Sequence, residues 1–176
     1  DPSRVVIATI ERELGRPLGE CFARFETEAV ASASIGQVHR ATLHDGTQVA
    51  VKVQHPGVER QIHVDLEILA GLAQFSERVP ELQPYRLGAT MAELRRMLRR
   101  ELDFARELRH QEQFTQFFAS DKRVRIPRCF AEFSSARVLT MEWLDGMKLS
   151  KLAISECSDG RFNDFARRGA EMYLKM

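Results

Sequence analysis

Apolar residues recur along this chain in two rhythms, and the changes of rhythm mark its elements. Val6, Ile10 and Leu14 fall on one helical face after Pro2 and Ser3, and Gly15 and Pro17 end that pattern. A period near two follows, predicting strands over 23–31, 37–43 and 48–54, the last two joined by a His44-Asp45-Gly46-Thr47 turn and closed by Pro56-Gly57. Val49, Val51 and Val53 alternate with Ala50 and Lys52, so the valines take one face of the third strand and Ala50 and Lys52 the other. The helical rhythm returns over 58–77 through Ile62, Leu66, Leu69 and Leu72 or Ala73. After Pro80 and Pro84 a single long helix is predicted over 88–118. Met91, Leu94, Leu98, Leu102 and Ala105 line its first half, whereas Phe114, Phe117 and Phe118 lie on a rotated face in its second. Two further strands, 128–133 and 137–143, flank a Ser134-Ser135 turn, and 149–176 reads as a helix, a loop around Ser158-Asp159-Gly160 and a second helix from about Phe162.

This order is α+β: five antiparallel strands with a long helical insertion after the third, the plan of a protein-kinase small lobe. On that plan residues 1–141 are the small lobe, 142–146 the hinge, and 147–176 the beginning of a helical large lobe. The chain starts without Met and stops inside a helical pattern, so both ends are expected to be cut.

Composition narrows the function. With 26 basic and 25 acidic residues the net charge is +1, and nothing calls for nucleic acid as partner. Cys21, Cys129 and Cys157 are too far apart for a zinc spacing or a disulfide framework and are read as reduced. His39, His44, His55, His63 and His110 fit no metal-binding spacing, and no metal ligand is assigned within the chain. The cluster Arg95, Arg96, Arg99 and Arg100 reads as a solvated helix face with acidic partners such as Asp103. No apolar run approaches the 18 or so residues of a membrane span.

The chemistry gathers around Lys52. A lysine placed on a strand whose other face is core suits anion binding, and V-A-V-K-V has the form of the kinase lysine that pairs with nucleotide phosphates and is held by a helix glutamate. The plainer alternative is a surface lysine at a strand end. The loop Ala31, Ser32, Ala33, Ser34, Ile35 and Gly36 stands where kinases place glycines; its small side chains leave backbone N–H groups close to a phosphate, or it is only a linker. Gly36 is the position expected to need unusual backbone angles. Two glutamates compete for Lys52. On one continuous helix Glu101 and Glu107 point about 120° apart, so both cannot serve it. Periodicity alone mildly favours Glu101, and the choice stays open here. Trp143 and Leu144, beside Glu142, occupy the strand-to-linker step where a kinase holds adenine, although packing alone accounts equally well for Trp143.

Four segments together resemble a known family. A-S-A-S-I-G-Q-V-H-R-A at 31–41, V-A-V-K-V-Q-H-P-G-V at 49–58, E-L-D-F-A-R-E at 101–107 and V-L-T-M-E-W-L-D-G at 138–146 are similar to the UbiB, AarF or ADCK atypical kinases, the ABC-one kinase-like family. The resemblance runs over nearly the whole chain. It implies that 31–36 is an alanine-rich nucleotide loop, that Lys52 contacts phosphate with Glu107 as its helix partner, and that Glu101 and Asp103 form an E-x-D motif. Val38 and Ala50, with the hinge residues Met141, Glu142, Trp143 and Leu144, complete the implied nucleotide-binding set. ATP and Mg are the implied cofactors. Isoprenoid-quinone (ubiquinone) biosynthesis or lipid homeostasis is the implied setting, with quinone-biosynthesis proteins or membrane lipids as partners. A bacterial inner membrane, mitochondria or plastids are the implied locations. No H-x-D-x-x-x-x-N and no D-F-G follows Leu144, so the catalytic and metal-binding acids are expected beyond this chain. The Asp164-Phe165 pair lacks the glycine and reads as helix. A non-catalytic, nucleotide-binding or scaffolding pseudokinase is the competing expectation.

Overall fold

The computed structural model describes residues 2–146 and 161–175, with side chains from 163 in the second stretch. These residues divide into two compact units that part between Trp143 and Leu144. The predicted helix within 149–160 and the loop at Ser158 lie outside the described residues, as does Cys157.

The first unit is built on a four-stranded antiparallel sheet of β1 (Arg24–Ser32), β2 (Gly36–Thr42), β3 (Gln48–Gln54) and β4 (Val138–Glu142), in that spatial order. The alternation in β3 decides what each face of the sheet does. Val49, Val51 and Val53 are fully buried against α1 (Ser3–Leu14), which contributes Val6 and Ile10, and Phe22, Leu43, Phe130 and Val138 close the same core. Gly15, at φ 69°, ends α1 in the left-handed conformation that glycine adopts without penalty, and a single turn, α2 (Leu18–Cys21), follows. Lys52 lies opposite Leu139 and Val38 in the ladder, and Ala50 lies opposite Met141 and Arg40. These residues share the second face.

The predicted fifth strand at 128–133 is corrected. Only Cys129 bridges to Met141, and Ala131–Phe133 turns instead into a 3₁₀ segment. Pro127 has no N–H to give, and hydroxyls take over the backbone groups a ladder would use. Thr140 Oγ1 donates to the Phe133 carbonyl at 2.6 Å, and Ser134 Oγ accepts from Thr140 N at 3.0 Å.

Helices α3 (Val58–Ser76) and α4 (Leu87–Glu101) pair after β3, and α5 (Phe104–Phe117) follows. The predicted 88–118 helix is thus two helices, broken at Leu102 and Asp103. Asp103 takes an extended conformation (φ −102°, ψ 93°) and its side chain accepts from Ala105 N, capping α5. Two bonds pin the break to the sheet: Gln54 Nε2 donates to the Leu102 carbonyl and Phe104 N to the Ala136 carbonyl, both at 2.9 Å. On α3 the expected stripe holds at Leu66 and Ala73, whereas Leu69 and Leu72 are exposed. In the second unit α6 (Arg161–Lys175) is helical through Asp164 and Phe165.

Candidate functional site

Lys52 leaves the second face of β3 and meets α5. Its Nζ donates to Glu107 Oε2 at 2.6 Å and stands 4.5 Å from the centre of the Phe104 ring. Of the two candidate glutamates, Glu107 reaches the lysine because the break at Asp103 resets the helical phase that a continuous helix would impose. Glu101, the last residue of α4, is exposed. Asp103 spends one carboxylate oxygen on the α5 cap, and its other lies 3.7 Å from Arg109. Lys52, Glu101, Asp103 and Glu107 nevertheless border one hollow of about 830 Å³ between α4, α5 and the sheet, with Arg100 and Arg106 also on its wall. None of residues 31–36, Val38, Ala50 or 141–144 lines this hollow.

The small-residue loop is tighter than expected. β1 runs through Ser32 and β2 begins at Gly36, leaving Ala33, Ser34 and Ile35 as the turn. Ala33 N donates to the Gly36 carbonyl at 2.8 Å, His55 N donates to the Ile35 carbonyl, and the His55 ring reaches the Ala33 carbonyl at 2.9 Å. The expectation for Gly36 is corrected: its φ is not positive, and glycine is needed there for room. A Cβ would stand 2.6 Å from the Val53 carbonyl oxygen.

Just after β4, Trp143 N donates to the Gln48 carbonyl, and the Arg40 guanidinium lies 4.9 Å from the Trp143 ring centre. Arg40 is a contact the sequence reading missed; its alternation with Val38 on the same face was the available signal. The Glu142 carboxylate turns to Arg125, whose hydrogen bond holds it below the usual carboxylate range. Behind Met141, Cys129 Sγ lies 2.6 Å from Gln111 Oε1, and burial pushes the thiol up to about 11. Among the described residues no three His, Cys, Asp or Glu side chains gather as a metal-binding group.

Comparison with known proteins agrees with this architecture. The ABC1 atypical kinase-like domain family matches residues 2–176. AarF domain-containing protein kinase 1 of Xenopus tropicalis is 34% identical over 97% of this chain and 32% of its own length. The chloroplastic protein ACTIVITY OF BC1 COMPLEX KINASE 7 of Arabidopsis thaliana is 33% identical over 94% of this chain and 24% of its own. The chain thus spans about a quarter to a third of these curated relatives. A solved Mycobacterium tuberculosis protein in complex with erythromycin superposes with a TM-score of 0.68 and 28% identity, over 86% of this chain and 38% of that one. By the extent of the family match and the kinase-like fold, this chain belongs to the ABC1 atypical kinase-like family.

Proposed function

We propose that this chain is the nucleotide-binding lobe of an ATP-dependent, Mg-requiring atypical kinase or ATPase. The reading rests on one observation, the Lys52–Glu107 pair at 2.6 Å on the face of the sheet away from the core. A lysine held by a helix carboxylate is pre-placed, so part of the entropy of ordering its long side chain is lost before ligand arrives. In this reading Lys52 orients the phosphates, the 31–36 turn covers them, and Val38, Ala50, Met141 and Trp143 flank the base. The residues 142–146 act as the hinge, and Glu101 and Asp103 border the hollow beside Lys52. Mg would neutralise phosphate charge when bound with the nucleotide, and no cluster of acids among the described residues is assigned to hold it. Isoprenoid-quinone biosynthesis or lipid homeostasis at a membrane is the setting we propose from the family resemblance.

MgATP and MgADP titrations of the full-length protein test this by calorimetry. Lys52→Ala is expected to weaken binding about 10- to 100-fold, the loss of one charge-assisted contact. Unchanged affinity would remove Lys52 from the site.

A second reading, a scaffolding pseudokinase module, is favoured by the exposed apolar side chains Val64, Ile68, Leu72 and Phe75 on α3. Measured turnover of MgATP by the full-length protein excludes it as the whole function.

A further inference from the structure

Besides Glu107, the Lys52 ammonium has a second neighbour. Phe104 is fully buried, and its ring centre lies 4.5 Å from Lys52 Nζ. An ammonium within about 6 Å of a ring centroid is attracted by the negative face of the π system, most strongly where water is scarce. The Lys52 side chain is 21% exposed, so the contact is largely shielded.

Phe104 is itself held in place by more than packing. It is the first residue of α5, directly after the Asp103 cap, and its N–H donates to the Ala136 carbonyl of the segment leading into β4. Two residues earlier, the Leu102 carbonyl accepts from Gln54, itself two residues beyond Lys52 on β3. Phe104 and Glu107 are three positions apart on one helix and therefore share a face. That face meets the lysine with a ring and a carboxylate.

We propose that Phe104 is a positioning residue for Lys52. Its π face fixes the ammonium laterally while Glu107 fixes it along the hydrogen bond, so the lysine stays aimed at the phosphate position even when Glu107 turns to a ligand or to solvent. The anchors on Leu102 and Phe104 tie this support to the sheet, so it does not depend on the rest of α5 remaining engaged.

The experiment replaces Phe104 alone by 4-fluoro- and then 3,4,5-trifluorophenylalanine, which withdraw charge from the ring face while nearly keeping its shape, and compares Phe104→Leu. Two readouts are taken on the full-length protein, together with the melting temperature. The first is the NMR signal of the Lys52 side-chain methylenes, assigned by its loss in Lys52→Arg. The second is MgADP affinity.

The wild-type signal is expected upfield of ordinary lysine, where a ring face places it, and is expected to return to the ordinary range in Phe104→Leu. Affinity is expected to fall stepwise with fluorination, to about 5-fold at the trifluoro ring, with the melting temperature unchanged. The affinity arm rests on the nucleotide reading above, whereas the NMR arm does not. If wild type binds no nucleotide, that reading fails while the upfield signal still decides Phe104. A Lys52 signal at the ordinary position in wild type, or affinity indifferent to fluorination in a protein that binds, overturns the proposal. Should Phe104→Leu fail to fold, the fluorinated series carries the test.

Discussion

At the scale of single residues, the interior of the first unit is selective about charge and about atoms. His39 is fully buried on β2, stacked on Phe25 at 5.0 Å, with Nδ1 2.9 Å from the Glu26 carbonyl and Nε2 without a hydrogen-bond partner. That arrangement suits the neutral ring, whose Nδ1–H donates to Glu26, and burial lowers its pKa from 6.5. Protonation would add a buried N–H with no acceptor. A group whose folded pKa is depressed contributes stability that is present above its unfolded value and lost as pH falls. Stability is therefore expected to be full above pH 6.5 and to decline below it, at up to about 1.4 kcal/mol per pH unit from this one proton. Urea unfolding at pH 7.5, 6.0 and 5.0 measures the slope. In His39→Gln that slope should be shallower, whatever the absolute stability, and an identical slope would clear His39 of the effect. Gly36 is selective about volume instead. Gly36→Ala pushes a methyl against the Val53 carbonyl, a backbone atom in the centre of the sheet, and an expected loss of about 1–3 kcal/mol is read from the same unfolding curves.

At the scale of elements, the break between α4 and α5 carries most of what the site depends on. Asp103 caps α5 through Ala105 N, so Asp103→Ala is expected to cost about 1 kcal/mol, while Asp103→Asn, which keeps an acceptor oxygen, should cost little. Thermal unfolding of the two variants separates the cap from the charge; equal losses would point to the carboxylate's charge rather than its capping oxygen. This break also explains what could be read from sequence. The apolar rhythm over 91–105 and the rotated one over 114–118 were visible, and a cap-forming aspartate lay between them. A change of phase has two explanations, one helix with two packed faces or two helices, and periodicity alone does not choose. The choice was made by Gln54 and Ala136, partners distant in sequence that take the backbone groups at the break. Once the helix is broken, Glu107 rather than Glu101 meets Lys52. The strands with clean alternation, β2 and β3, were legible because half of each is buried. Residues 128–133 were not, because whether Phe133 joins a ladder depends on the Thr140 and Ser134 hydroxyls, whose reach no local pattern reveals.

At the scale of the whole molecule, the first unit buries its apolar groups very unevenly. The core between α1 and the sheet is closed, with Val6, Ile10, Val49, Val51, Val53 and Val138 all at 1% exposure or less. The α3–α4 pair is the opposite case. Leu66 and Ala73 of α3 are buried, but Val64, Ile68, Leu72 and Phe75 fall on the reverse face of that helix and are between 46% and 66% exposed. The spacing of four, four and three residues makes them one stripe. Apolar side chains this exposed contribute little to the stability of the fold that carries them, because their burial in the folded state is small. Ile68→Glu with Leu72→Glu is therefore expected to change the unfolding free energy by no more than about 0.5 kcal/mol, in contrast to Leu66→Ala on the buried face, where a loss of about 2–4 kcal/mol is expected. Both glutamates sit where side chains already meet solvent, so a large loss in the double variant would mean that the stripe is covered within the folded chain. Denaturant curves for the two variants, recorded side by side at the same protein concentration, distinguish the faces of one helix by what each contributes.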